Sequence, residues 1–369
     1  MAETSNLYDA FEANSKKEWL AKVEKDLKGR PLEDLHWQIG KEIEVAPFYH
    51  PEDILPTGIL ETHKATNDWQ IGEYIVVDAP KSANQAALEG LAGGVNAPVF
   101  LLKEEPSKEE LAILLKDINL TYITTHFNAE WDVENWEKFL GKLAALAKER
   151  AYEPASLKGS ISIDSSNYSK TLELQAWTKV HFPRWKLFQL VVPFNGIDQI
   201  VEDLAATLKN AQQMLAHAEK DRRSLIEQLY CTVEIGTSYF VEIAKLRAWK
   251  LLWANLANAY GIPTTPPELE VQLAKNSHND QVNTNMIRTS TQAMAAALGG
   301  ADRLVLRAAN LGAGEASTSF SRRIARNVQH LLKMESYLDR VQDPAAGSYY
   351  IETLSNQFAE KAWKVFQNH

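Results

Sequence analysis

From Tyr74 onward, short apolar runs alternate with longer segments whose apolar residues recur every three or four positions. The short runs are Tyr74–Asp78, Val99–Leu102, Leu120–Thr125, Gly159–Ile163, Leu187–Val192, Cys231–Ile235, Leu269–Leu273 and Arg303–Leu306. Their length and β-branched content predict strands. The periodic segments Ala83–Leu91, Lys108–Leu115, Asn135–Glu149, Asp198–Ala218, Tyr239–Tyr260 and Thr284–Leu298 predict helices, and another runs from Ser321 to about Leu338. In Asn135–Glu149, Trp136, Phe139, Leu140, Leu143, Leu146 and Ala147 form one stripe. Ser165–Lys179 carries little period of either kind. Eight strands alternating with helices imply parallel βαβ units, and the count favours a (β/α)8 TIM barrel over an open sheet. The first strand is followed by Asp78-Ala79-Pro80 rather than a glycine-rich fingerprint, which weakens a dinucleotide-binding alternative.

Residues 1–70 read as an arm ahead of the barrel domain at 71–369. Leu7, Phe11, Trp19, Leu20, Val23 and Leu27 have helical spacing, and Gly29, Pro31, Pro47, Pro51 and Pro56 then predict an irregular, extended path. Such an arm is expected to pack on its own domain or on a partner.

The chain has 369 residues, 45% hydrophobic and 24% charged, enough apolar content for a large core. Its net charge of −9 argues against binding nucleic acid or an anionic membrane non-specifically. A single cysteine, Cys231, excludes an internal disulfide and reads as a small core residue in a reducing compartment. The first residues hold no apolar signal core, and no apolar run approaches the ~20 residues of a membrane span. These features predict a cytoplasmic protein.

Candidate acids and bases lie near strand ends, where barrel sites form. His126 is placed after the third run, Asp164 after the fourth, and Glu234 inside the sixth, where it could point inward. None has a partner at a recognisable motif spacing, so solvated or ion-paired roles are the plainer reading. His278, in Lys275-Asn276-Ser277-His278-Asn279-Asp280, marks a polar loop suited either to an anion or to opening a helix. No His/Cys/Asp/Glu grouping has metal-ligand spacing, and no P-loop occurs. Arg322-Arg323-Ile324-Ala325-Arg326 reads as a solvated or ion-paired helix face, and Trp249 with Trp253 as packing.

Four separated segments, in order, carry a resemblance. They are an opening pattern (Phe11, Trp19, Val23, Leu27, Gly29, Pro47, Tyr49), Tyr239–Ala248 with Trp253-Ala254, Asn285–Thr289 with Ala293–Ala296 and Gly299-Gly300, and Phe320–Glu352. The last holds Phe320-Ser321-x-Arg323-Ile324-Ala325-Arg326-Asn327-x-Gln329, then Glu335 and Asp343-Pro344-x-x-Gly347-Ser348. Together they resemble the methylmalonyl-CoA mutases, which rearrange acyl-CoA skeletons with adenosylcobalamin.

The departures from that family fall where its chemistry sits. Phe194 takes the place of a histidine that contacts the thioester carbonyl, and an apolar ring cannot stabilise charge there. Ser162 replaces a substrate-contacting glutamine, and Leu273–Ser277 replaces a CoA-associated Arg-Thr-His-Ser-Gln. The family's Arg-Gly-Pro-Tyr has no counterpart between Tyr49 and Trp69. The nearest match to a cobalt-ligating Asp-x-His-x-x-Gly is Asp34–Gly40, with its glycine one residue late and its setting in the arm, so His36 reads as coincidental. In the fifth run Phe188, Leu190 and Val192, if they point inward, fill the axis along which catalytic barrels thread the ester.

These losses, together with Asp68-Trp69 and Ala83–Gly93, resemble the small, non-catalytic subunit of the heterodimeric mutases. The resemblance implies no catalytic, cofactor-binding or metal residues in this chain. Adenosylcobalamin would sit in a large catalytic partner, since the sequence ends at His369 where a cobalamin domain would begin. Two alternatives remain at this point: a catalytic barrel served by a cobalamin domain on a separate chain, and a stand-alone acyl-CoA-binding module.

Overall fold

A computed structural model describes residues 14–53, 64–164, 168 and 171–368. The arm opens with α1 (Lys16–Leu27), whose start is fixed by a reciprocal capping box between Ser15 and Glu18. The earlier part of the predicted arm helix, with Leu7 and Phe11, lies outside the described residues, as does Pro56. Beyond α1 the arm departs from the expected irregular path. β1 (Trp37–Ile39) and β2 (Ile43–Val45) pair as an antiparallel hairpin. Gly40 makes its turn at φ +62°, and the Gly40 N–H donates to Asp198 Oδ1 at 2.8 Å. Ile39, Ile43 and Val45 are buried in the main core, so one face of the hairpin is anchored on the chain's own barrel.

The barrel strands and helices then alternate. They are β3 (Gln70–Val77), α2 (Pro80–Ala92), β4 (Ala97–Leu102), α3 (Lys108–Leu114), β5 (Thr124–Asn128), α4 (Val133–Glu149) and β6 (Lys158–Asp164), followed by α5 (Leu172–His181), β7 (Arg184–Val192), α6 (Ile200–Ala218), α7 (Arg222–Glu227), β8 (Leu229–Ile235), α8 (Tyr239–Ala259), β9 (Glu268–Leu273), α9 (Val282–Leu298) and β10 (Arg303–Leu306). All eight strands pair in parallel and close in the order β10-β3-β4-β5-β6-β7-β8-β9. The expected (β/α)8 barrel is therefore present. The third predicted run was set too early: the strand starts at Thr124, which places His126 inside it rather than after it. The weakly periodic stretch after β6 yields α5, while 165–167, 169 and 170 lie outside the described residues.

The register decides which side chains fill the bore. Phe188, Leu190 and Val192 pair with Leu229, Cys231 and Val233, which pair in turn with Leu269 and Val271. All are buried in the cluster that includes α4, α6 and α8, so this set faces the helices. The expectation that Phe188, Leu190 and Val192 would fill the axis is overturned. Alternation then turns Gln189, Thr232, Glu270 and Arg303 inward.

The closing segment is α10 (Ala309–Gly312), α11 (Ser319–Met334), a turn, and α12 (Tyr349–Gln367). Arg322 and Arg326 of α11 reach Glu89 and Glu73 (2.6 and 2.7 Å), the ion-paired face expected from the basic run. The aromatic residues after the turn start a long helix. Tyr350 does anchor it, edge-on to Tyr49 with centroids 5.6 Å apart, and α12 packs on α6, α8 and β2. Buried Arg247 on α8 ties the turn to this helix by pairing with Asp343 and with Glu352 (2.7 Å). Gly347, at φ +79°, donates its N–H to Glu352 at 3.0 Å. Arg247→Leu leaves two carboxylates without their cation and should cost about 3–5 kcal/mol in urea denaturation; a loss under about 1 kcal/mol would show that the pair does not hold the closing turn.

Candidate functional site

The bore is polar and crossed by a side chain. Arg303, 1% exposed, starts β10, and its Nε donates to Glu270 Oε2 at 2.6 Å. Its Nη1 donates to Glu268 Oε1 and to His126 Nε2, both at 2.9 Å. In the sheet β3 and β4 lie between β10 and β5, so the contact with His126 runs through the bore. His126 Nδ1 meets Ser160 Oγ at 2.7 Å. Thr232 Oγ1 donates to Glu270 at 3.1 Å and accepts from Gln189 Nε2 at 2.8 Å, while Gln272 also donates to Glu270. The Arg303 guanidinium lies 5.6 Å from the Tyr230 ring centroid. Barrel interiors are ordinarily filled by layers of branched apolar residues; here a buried hydrogen-bonded ion cluster forms the floor.

Above that floor the bore opens. Inward-facing residues near the strand ends are half-buried (Tyr74, Leu101, Asn128, Ser162, Gln189 and Glu234), and Val76 and Val191 are 36% and 40% exposed. Among the described residues the result is a cup, closed below and open at the C-terminal mouth, the end where barrels bind ligands.

The sequence candidates are distributed unevenly over this cup. His126 belongs to its floor, with both ring nitrogens engaged, which leaves it no free base. Because Arg303 donates to Nε2, the ring is neutral with its proton on Nδ1. Burial, and then the Arg303 charge, hold its pKa well below the ordinary histidine value. Glu234 does face the mouth, and its Oε2 accepts the Phe194 N–H at 3.4 Å. Asp164 ends β6 and is exposed. His278 is buried beside Thr289 (3.3 Å), with its pKa lowered by burial. Cys231 is a buried core thiol, pushed up by burial. Trp249 and Trp253 are fully buried packing residues.

Phe194 lies just beyond β7, where its N–H donates to Glu234 at 3.4 Å. Its ring lies against Gly236, where an added Cβ would come within 2.3 Å, and 4.9 Å from Lys245 Nζ. Lys245 forms a fully buried ion pair with Glu242 at 2.6 Å and donates to the Glu234 carbonyl at 2.7 Å. Ser162 Oγ is held against the Ala129 backbone (3.3 Å from its N). His36 faces Glu44 across the arm hairpin. No cluster of metal-ligating side chains occurs among the described residues.

Arg303, Glu270, Tyr230 and Arg307 escaped the sequence reading. The signal was the polar half of each alternation, Tyr230/Thr232/Glu234 and Glu268/Glu270/Gln272, which the apolar half obscures.

The neutral state of His126 has a sign. The unfolded chain takes up a proton near the ordinary histidine pKa and the folded chain does not, so the unfolded state binds more protons below about pH 6.5. Stability should therefore fall from pH 7 towards pH 5.5, by up to about 1.4 kcal/mol per pH unit for each such histidine. His126→Gln should remove its share of that slope in urea titrations and leave the part due to His278; an unchanged slope would contradict the buried neutral imidazole.

Comparison with known proteins follows the same outline. The methylmalonyl-CoA mutase family profile matches residues 106–368. A methylmalonyl-CoA mutase small subunit from Porphyromonas gingivalis is 32% identical over 398 aligned residues, covering 99% of this chain and 64% of that protein. A methylmalonyl-CoA mutase from Cereibacter sphaeroides is 27% identical, covering 95% of this chain and 57% of its own length. A methylmalonyl-CoA mutase large subunit from Porphyromonas gingivalis is 35% identical over 174 residues, covering 45% of this chain and 24% of that protein. The chain thus spans less than two thirds of the relatives it matches along nearly all its length.

Proposed function

Because the chain belongs to the methylmalonyl-CoA mutase family, we propose that it acts as a small, non-catalytic subunit supporting a large catalytic one in the methylmalonyl-CoA/succinyl-CoA isomerisation. The observation that carries this reading is the Arg303 floor: an ionic crosspiece from β10 to β5 interrupts the path that an extended ester would follow along the axis. Restoring a channel would require exposing or removing buried Arg303 and Glu270, at a cost of several kcal/mol. The engaged nitrogens of His126 and the apolar ring of Phe194, packed on Gly236, support it further.

Adenosylcobalamin, on this reading, belongs to the large partner. The described residues of this chain do not fit it: His36, nearest to the expected ligand motif, lies on an arm hairpin against the Glu44 carboxylate. The arm is the proposed grip. Its hairpin buries Ile39, Ile43 and Val45 against the barrel while leaving Leu35, Trp37 and Phe48 41–43% exposed. Large exposed apolar groups on a well-anchored hairpin are the composition of an obligate interface. No helix among the described residues is long and apolar enough to cross a membrane, and the buried thiol of Cys231 agrees with work in a reducing cytoplasm.

Co-expression with a large mutase subunit should yield a complex that co-elutes and isomerises, while this chain alone gives no turnover even with an added cobalamin domain. Trp37→Glu with Phe48→Glu should weaken the pairing by at least about 2 kcal/mol, roughly 30-fold in Kd. Turnover by the isolated chain, or failure to co-purify with the large subunit, would overturn the assignment.

A further inference from the structure

The cup above the ionic floor has a feature that neither fold nor subunit role requires. Arg307 follows β10 on the inward side of the alternation that includes Arg303 and Val305, and its guanidinium lies 5.8 Å from the Tyr74 ring centroid. Tyr74 shares the inward face of β3 with Gln70 and Gly72, and it feels the charges of Glu270, Glu234 and Arg303, which places both groups over the bore. Arg307 is half-buried, its Nε is fully enclosed without a hydrogen-bond partner, and no carboxylate among the described residues pairs with it. Of the neighbouring guanidinium groups, Arg303 pairs with Glu268 and Glu270, and Arg288 donates to Asn285 at 3.2 Å. A guanidinium carries five donors, and burying one without an acceptor is costly. Such a group is poised for an anion from outside the chain.

We propose that the mouth of the barrel binds a small carboxylate, with Arg307 as its counter-ion. The walls define the class. Val76, Leu101 and Val191 present an apolar surface from β3, β4 and β7, while Asn128, Ser162 and Gln189 add a few polar groups from β5, β6 and β7. An apolar wall with one guanidinium suits a short aliphatic body ending in a planar carboxylate, which Arg can grip bidentately. A phosphate, polar on every side, would leave oxygens against Val76 and Val191. Glu234 is the mouth's own carboxylate, and its engagement with the Phe194 N–H on β7's side leaves Arg307 unclaimed. The floor limits length: Arg303 and Glu270 close the bore, so a ligand long enough to thread the axis does not fit. The site depends only on the barrel and is independent of pairing with a large subunit.

Isothermal titration of the intact chain with propionate, malonate, inorganic phosphate and an acyl-CoA ester tests this. Propionate or malonate should bind with Kd below about 1 mM, and Arg307→Gln should weaken it at least about tenfold. Arg307→Gln should keep the wild-type thermal transition to within a few degrees, since its enclosed Nε makes no internal hydrogen bond and only the Tyr74 ring contact is lost. Val191→Trp, which fills the mouth from β7 without touching the guanidinium, should also abolish binding. Carboxylate binding lost in both folded variants supports the site. The proposal is overturned by no carboxylate binding, by binding unchanged in either variant, by phosphate binding as tightly as the carboxylates, or by a CoA ester binding more tightly than the free acids.

Discussion

One guanidinium organises this barrel. Arg303 is the first residue of β10, pairs with two carboxylates of β9, and reaches across two intervening strands to an imidazole on β5. Because those partners come from opposite parts of the wall, the cluster closes the bore as it satisfies itself. A buried charge of this kind needs its lone pairs and protons accounted for, and Ser160, Thr232, Gln189 and Gln272 supply most of that accounting, while Arg303 Nη2 is enclosed without a partner. The rest follows from where the cluster sits: low in the bore, it makes a floor and leaves the C-terminal mouth as a cup.

The scaffold around this floor was legible in the sequence because it is written in apolar periodicity. The eight runs, the alternating helices and the basic helix at Ser319–Met334 all reflect burial against a single core, which is what period-two and period-3.6 patterns encode. The elements that escaped depend on partners distant in the chain. The hairpin at Trp37–Val45 is too short to show a period, and it is held by Asp198 far along the sequence. The helix after Ser348 was hidden by the Pro-turn-Gly segment in front of it, whose geometry is set by Arg247.

The site was less legible, for a physical reason. Apolar residues in a barrel strand serve the helices outside, and in β7 they were assigned to the wrong side. Phe188, Leu190 and Val192 are core residues, but the core they join lies between sheet and helices. The inference of a closed axis survives in altered form, since polar side chains rather than apolar ones do the closing. His126 illustrates the same point: placed one strand-register too far along, it read as a loop base, whereas within β5 it is a fixed neutral acceptor. Family membership rests on the sequence comparisons, the subunit role proposed from it rests on the floor, and the mouth is a separate opportunity the floor creates.

The account stands on that imidazole. Side-chain 15N NMR of His126 in the folded chain, followed from about pH 7.5 to 5.5, reads its protonation directly. The structure requires one neutral tautomer, protonated on Nδ1 and unmoved across the range, because Nε2 accepts from Arg303. An imidazolium signal growing in near pH 6.5, or a proton resident on Nε2, would mean that Arg303 does not cross the bore and that the barrel has no such floor.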